Sequence, residues 1–323
     1  MDIEENAEDP SLTAVNKEPS SAEVTAPTDA APLQRAALEP ARLRQMMAET
    51  RMGELWISEQ TGSTNDDLAA RIKAALPANL SVETTEHQRA GHGRLGRGWE
   101  SPARSSLASS IVFRTAPSFE QKGLPWLSML CAVAMVHTLR EDAGLDAGLK
   151  WPNDVVAEGK KVCGVLAQLV MTEQGPVVVV GAGLNVSTTA AELPVPTAAS
   201  LATLGAKTLD RTLLLGGYLR RVAHLYRSFE RVSGNANVAV RYGTSAPGGY
   251  PERQLTLREL VSEVMVSLGQ QVDAFLPDGT VLRGRAVELD ADGSLLLRTM
   301  DNAEHHVLAG DIQHLRRSDG SYA

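Results

Sequence analysis

Residues 87–102 read His-Gln-Arg-Ala-Gly-His-Gly-Arg-Leu-Gly-Arg-Gly-Trp-Glu-Ser-Pro. Gly91, Gly93, Gly96 and Gly98 are interleaved with Arg94 and Arg97, Arg89 stands upstream, and Trp99 and Pro102 close the run. Glycines let successive backbone N–H groups face one ligand with no side chain between them, and such a concavity attracts anions. Arginine adds a permanent charge and a planar fork matched to carboxylate and phosphate oxygens. The chemistry implied is a cover that closes over a carboxylated or phosphorylated ligand, although the run alone is equally consistent with an ordinary exposed loop. A second stretch, Gly148-Leu149-Lys150-Trp151-Pro152-Asn153-Asp154-Val155, sets a lysine at a strand end before a Trp-Pro pair. Proline fixes its own φ and restricts the residue before it, so the lysine backbone has little freedom. That would hold an ammonium where phosphate charge develops; taken alone, the segment reads first as a surface lysine ahead of a turn.

Gly91, Gly93 and Gly96 also satisfy G-x-G-x-x-G, which carries meaning only between a strand and a helix. Here Gly98 to Ser106 follows, with a proline and no helical apolar period. A dinucleotide-binding reading is excluded.

The elements that must position these groups follow from periodicity. A short helix is expected over 41–50 and a strand over 55–59. Ser63-Thr64-Asn65 opens a helix running to Leu76, with Thr64 and Asp67 spaced as a capping box; these small polar side chains can cap the helix and also donate to a ligand. Strands are expected over 80–86 before the glycine loop and 107–114 after it. Residues 124–141 carry apolar side chains at helical spacing, placing Cys131 in the core and His137 in a packed or surface role rather than a catalytic one. Residues 162–170 and 176–186 read as adjacent strands joined by a Thr-Glu-Gln-Gly turn. The second is apolar almost throughout, as a central strand covered on both faces would be, and Gly181 and Gly183 let something flat approach its end. Lys160-Lys161 reads as a solvated strand end. After a Pro/Ala/Thr-rich connection (187–209), a helix is expected over 210–233 with Asp210 as N-cap and Gly234 as stop, then a short helix over 236–242. From Glu263 short runs at 264–266, 271–275, 281–289, 295–298 and 304–307, separated by Asp-Gly turns, suggest a small antiparallel barrel. His305-His306 has no nearby cysteine and gives no metal site.

Composition bounds the rest. The 323 residues are 43% hydrophobic, enough for two ordinary domains. Residues 1–40 hold nine acids against two bases, so −7 of the total −8 lies there and the remainder is nearly neutral. A near-neutral folded part is a poor match for a nucleic-acid-binding protein. Residues 1–40 have no aromatic residue and are rich in Ala, Pro, Ser, Thr and Glu, the composition of a disordered acidic tail. They lack the basic start and apolar stretch of a secretory signal, and no apolar run approaches the ~20 residues that span a bilayer. Cys131 and Cys163 form no C-x-x-C pair and read as buried free thiols. A cytoplasmic protein without a membrane segment is expected.

Ser63-Thr64-Asn65, Glu86-His87-Gln88, Ala90 to Trp99, Lys150 to Asp154, Cys163-Gly164-Val165-Leu166 and Gly181 to Val186 occur in the order found in biotin protein ligases. The chain resembles that family over roughly residues 55–320. The resemblance implies an α+β fold: a mixed β-sheet packed with helices, akin to the catalytic domains of class II aminoacyl-tRNA synthetases, plus a small C-terminal SH3-like β-barrel. It implies a catalytic domain over 41–260 and the barrel over 261–323. It further implies that biotin's carboxylate attacks the α-phosphate of ATP, delivered with Mg2+, and that a lysine of the biotin carboxyl carrier domain of acetyl-CoA carboxylase or a related carboxylase then takes the biotinyl group. Carried over residue by residue, Ser63, Thr64, Asn65 and Gln88 would bind biotin's polar groups. Gly91, His92, Gly93, Arg94 and Arg97 would supply the loop, with residues 92–94 at the acid end. Lys150 would hold the carboxylate and α-phosphate, Trp99 would cover the nucleotide and Asn185 would read adenine. Gly164 and Gly183 would line the pocket, and Lys150 and Arg94 are the catalytic pair. Asp154 is a further candidate for contact with magnesium or the acceptor lysine.

Two departures from the family pattern stand out. The loop usually begins Gly-Arg-Gly-Arg, whereas here His92 replaces the first arginine, and Leu95 stands where a basic residue is common. Weaker retention of the adenylate, or a role for protonated His92, is the corresponding expectation. The helix-turn-helix of the bifunctional repressors has no counterpart in residues 1–40, so no DNA binding is expected. Lipoate or octanoate ligation, on a related fold with the same adenylate logic, is the nearest alternative. A non-catalytic module using the barrel as its contact surface is the alternative from another class, and nucleic-acid binding through Arg89, Arg94, Arg97, Arg104 and Trp99 would show steep salt dependence.

Overall fold

The structure, a computed structural model, describes residues 35–242 and 253–323. Most of the acidic segment therefore lies outside the described residues. The packed chain nonetheless begins by Arg35, ahead of the expected boundary at 41. Leu38 is buried, its N–H donates to Glu86 Oε1 at 2.7 Å, and Arg211 donates to Ala36 O at 2.7 Å.

The chain runs α1 (Pro40–Glu49), β1 (Leu55–Ser58), α2 (Thr64–Ala74), β2 (Val82–Thr85), then two short strands β3 (Gly91–His92) and β4 (Gly98–Trp99) around a 3-10 turn at Arg94–Gly96. It continues through β5 (Ser106–Phe113), α3 (Trp126–Glu141), β6 (Ala147–Lys150), β7 (Asp154–Ala157), β8 (Lys160–Thr172), β9 (Gly175–Asn185) and α4 (Arg211–Arg231). Seven strands form one sheet in the order β1-β2-β5-β9-β8-β7-β6. Only β1 and β2 pair in parallel, so the sheet is mixed, as expected.

Strand β9 shows why its sequence is apolar at nearly every position. Val178 and Val180 point into the large core with α3 and α4, while Val177 and Val179 pack on the other face with Leu68, Ala69 and Ile72 of α2. A strand buried on both faces cannot alternate apolar with polar. Helix α3 is enclosed almost completely, from Trp126 through Leu139. Each fully buried large side chain there contributes about 1.5–3 kcal/mol. One expectation needs correcting: Gln121–Glu141 is long and apolar enough to cross a bilayer, yet most of it is buried in the fold, where an all-round apolar helix is equally at home.

The second half departs from expectation in two places. Residues 236–242 form a turn and then β10 (Val240–Tyr242), paired with β11 (Arg253–Leu255), instead of a helix. Residues 264–266 are not a strand. Thr256 and Glu259 form a capping box that starts α5 (Leu257–Val264), whose Leu257, Leu260, Val261 and Val264 are buried at helical spacing. The barrel sheet then follows as β12 (Gln271–Phe275), β13 (Val281–Leu289), β14 (Leu295–Arg298), β15 (Glu304–Val307) and β16 (His314–Arg317), in the order β15-β14-β13-β12-β16 and antiparallel throughout. His305 and His306 lie on the edge strand, His306 beside Asp290 at 2.9 Å. The barrel is tied to the central sheet: Val266 N donates to Leu149 O at 2.9 Å, Trp151 N to Ser267 Oγ at 3.1 Å, and Trp151 Nε1 to Gly293 O at 3.2 Å.

Candidate active site

The first group of polar side chains is set by the start of α2. The N-cap is Ser63, accepting from Asp66 N at 3.5 Å, one residue before the Thr64 expected there. Asp67 instead accepts from Thr61 Oγ1 at 2.5 Å. With the cap at Ser63, Thr64 and Asn65 turn inward and are buried. Thr64 N donates to Gln88 Oε1 at 3.0 Å, Thr64 Oγ1 lies 2.7 Å from Ser110 Oγ, and Ser110 Oγ donates to Asn65 Oδ1 at 2.6 Å. Asn65 Nδ2 donates to Leu166 O at 3.3 Å. Two glycines make room for this network: a Cβ on Gly181 would collide with the Asn65 amide, and one on Gly91 with the Gln88 amide. Ser110, on the fully buried strand β5, was not identifiable from sequence, because only the pairing of distant strands sets it beside Asn65.

The glycine–arginine run forms a small hairpin, with Gly91 opposite Trp99 and His92 opposite Gly98. Gly93 N donates to Arg97 O at 2.6 Å. Gly96 has φ 71° and Leu95 φ 57°, the left-handed region natural for the glycine, so the turn carries Leu95 outward, exposed. Trp99 swings the other way. Its indole rests on the bare backbone of Gly183 and Gly164, where a Cβ on Gly183 would come within 2.6 Å of the ring. Its Nε1 is buried and meets no hydrogen-bond partner. His92 Nε2 sits 3.1 Å from Asp66 Oδ2, joining the loop base to α2. Arg94 donates to Ala309 O and, at 2.9 Å, to Ile312 O; Arg97 donates to Gln313 O at 2.8 Å. Both arginines are thereby anchored to the barrel through neutral carbonyls, which leave the guanidinium charge uncancelled. Burial lowers the pKa of Arg94, Asp154 acting in the opposite direction.

Lys150 ends β6 opposite Asp154 across the β6–β7 hairpin, with a cis Trp151–Pro152 bond in the turn. The side chain is 5% exposed. Burial lowers its pKa to about 8, with Asp154 pulling upward. Asp154 Oδ1 pairs with Lys161 Nζ at 2.6 Å, Asp154 Oδ2 accepts from Tyr322 Oη at 2.5 Å, and the Lys150 ammonium lies 3.4 Å from the centre of the Tyr322 ring. Lys161 was expected to be a solvated strand end; its pairing with Asp154 places it inside the site, 5.5 Å from the Trp99 ring centre. Asn185 closes the far end of β9, its Nδ2 donating to Ala199 O at 3.0 Å.

These groups line one cavity of about 650 Å³. Ser63, Thr64, Asn65, Gln88, His92, Gly93, Arg94, Arg97, Trp99, Lys150, Gly164, Gly183 and Asn185 all face it; Gly91 does not, and shapes it from behind Gln88. Residues from the connection after β9 and from the barrel, among them Val195, His314, Arg316 and Tyr322, complete the wall. They lie in segments with no local signal of their own.

The comparisons with known proteins agree with this architecture. Residues 57–185 match the Biotin/lipoate A/B protein ligase family and residues 267–315 match the Biotin protein ligase C terminal domain. The chain is 34% identical to the biotin--[acetyl-CoA-carboxylase] ligase of Mycobacterium tuberculosis, over 81% of this chain and 90% of that one. It is 26% identical to the bifunctional ligase/repressor of Bacillus spizizenii, over 81% of this chain and 74% of that one. Its fold superposes on the Aquifex aeolicus biotin protein ligase solved with biotin and ATP, with a TM-score of 0.64 and 26% identity, covering 82% of this chain and 99% of that one. With both domains matched in order and one relative similar over nearly its full length, this chain belongs to the biotin protein ligase family.

Proposed function

We propose that the chain activates biotin with ATP to give biotinyl-adenylate and pyrophosphate, then passes the biotinyl group to a lysine of a biotin carboxyl carrier domain with release of AMP. The observation that carries this reading is the convergence, on one cavity, of a hydrogen-bonding floor, a buried ammonium and a glycine–arginine hairpin. A carboxylate and a triphosphate repel each other, so the first step needs positive charge and oriented donors fixed before reaction. Lys150, between the two anions, would hold biotin's carboxylate against the α-phosphate. His92, Gly93 and Arg94 would stand at the acid end. Trp99, on Gly164 and Gly183, would cover the nucleotide, and Asn185 would meet adenine. The covered adenylate would then be shielded from water until the acceptor amine attacks its carbonyl carbon.

Ser63, Thr64, Asn65 and Gln88 would take biotin's ureido ring. The floor they form favours biotin over lipoate, whose dithiolane has no polar group to match these amides and hydroxyls. Desolvated polar groups left unpaired discriminate against such a ligand. Magnesium would arrive with ATP as part of the substrate, and Asp154, whose two oxygens meet Lys161 and Tyr322, is the carboxylate nearest the proposed phosphate-holding lysine. The carboxylase acceptor is part of the same proposal, supported by the name of the Mycobacterium tuberculosis relative, and a cytoplasmic setting is proposed with it.

Pyrophosphate release from ATP with biotin, with lipoate and with neither tests the function directly. Biotin-dependent release that collapses in Lys150→Ala is expected. Release with lipoate alone would move the chain's substrate to the sister activity, and no release with either acid would leave a binding module.

A further inference from the structure

We propose that Tyr322 is a positioning residue for Lys150, holding its ammonium desolvated and without a direct carboxylate partner so that the charge remains available to an incoming anion. The inference rests on the reading of Lys150 as the anion-holding group. Lys150 is buried, and a buried cation is costly unless something stabilises it. Among the described residues no carboxylate lies within 4.0 Å of its ammonium. What lies there is the face of Tyr322, 3.4 Å from Nζ to the ring centre, and an aromatic face attracts a cation most strongly when both are out of water.

The nature of the partner matters. A carboxylate on Lys150 would have to be displaced by each arriving carboxylate or phosphate. The π face steadies the ammonium without cancelling its charge. Asp154 is the carboxylate best placed to compete, since it faces Lys150 across the hairpin. The same tyrosine restrains it: the Tyr322 hydroxyl donates to Asp154 Oδ2 at 2.5 Å, while Lys161 takes Oδ1 at 2.6 Å. One side chain therefore supports the cation and occupies its competitor. Tyr322 follows the last barrel strand in the polar run Ser318-Asp319-Gly320-Ser321, so the barrel segment would contribute to acid activation through this contact.

The test compares the full chain with Tyr322→Phe, Tyr322→Leu and Lys150→Ala. With selectively labelled lysine, the wild-type NMR spectrum should contain one ε-CH2 resonance shifted upfield by the ring. It should vanish in Lys150→Ala and Tyr322→Leu and persist in Tyr322→Phe. In biotin-dependent pyrophosphate release, Tyr322→Leu should raise KM for biotin and for ATP by roughly tenfold, with Tyr322→Phe recovering the share carried by the ring and leaving the share carried by the hydroxyl on Asp154. Absence of the shifted resonance overturns the proposal. So does a Tyr322→Leu enzyme with kcat/KM at or above wild type, which would make the tyrosine a plug or a bystander. If Lys150→Ala keeps wild-type release, the reading of Lys150 falls and this proposal with it, even where the ring contact stands. If Lys150→Ala abolishes release while Tyr322→Leu does not weaken it, only the role of Tyr322 falls.

Discussion

Lys150 gives the plainest pH prediction. Its ammonium form is the one that can hold two anions together, and burial has lowered its pKa to about 8. Free-enzyme kcat/KM for pyrophosphate release should therefore hold below that value and fall as pH rises through it, as protons leave the lysine. Lys150→Arg, which stays charged across the range, should lose rate but also lose that alkaline limb. His92 yields a second expectation. It is paired with Asp66 at the loop base, and His92→Arg should slow escape of biotinyl-adenylate several-fold by adding charge-assisted donors, measured by chasing labelled adenylate from the enzyme. At this scale the sequence made the loop, the Lys-Trp-Pro-Asn-Asp turn and the Ser-Thr-Asn cap visible, because each is contiguous. Ser110, Lys161 and Tyr322 were invisible as site residues, since each arrives from a different strand or domain and carries no motif of its own.

Among the elements, strand β9 and hairpin β3–β4 depend on each other through one glycine. Gly183→Ala would push a methyl group into the Trp99 indole. We expect KM for ATP to rise about tenfold with thermal stability little changed, and Trp99→Leu, which clears the ring, to abolish the sensitivity to this alanine in a double-mutant cycle. Helix α5 supports a stability prediction: Thr256→Val removes a capping box and should cost about 1 kcal/mol in denaturant unfolding, with biotin kinetics intact. That capping box, Thr-x-x-Glu, was present in the sequence. It lost to a β-branched Val264-Met265-Val266 run because short apolar runs do not distinguish strand from helix. The N-cap of α2 was misplaced by one residue for a similar reason: Ser63, Thr64 and Asn65 are all good caps, and the hydrogen bonds of Thr64 and Asn65 to Gln88 and Ser110 leave the cap to Ser63.

Over the whole molecule, one continuous core links α3, the central sheet, α5 and the barrel. Unfolding followed by tryptophan fluorescence and by loss of activity should give coincident transitions. Acid should erode this state through His137, whose pKa burial lowers to about 4, with Arg140 and Arg221 adding to the effect. The unfolded chain then binds more protons than the folded one between roughly pH 6.5 and 4. Stability is accordingly lost as pH falls through that window, and His137→Phe should flatten the dependence.

The anchoring of Arg94 and Arg97 to carbonyls of residues 309–313 has a thermodynamic corollary. The hairpin that covers the ligand and the docked barrel share these bonds, so neither can shift without altering the other's equilibrium. Whatever factor a bound adenylate adds to the stability of the docked barrel, docking must return to the affinity for adenylate. A change that loosens the barrel would thus weaken adenylate retention without entering the cavity.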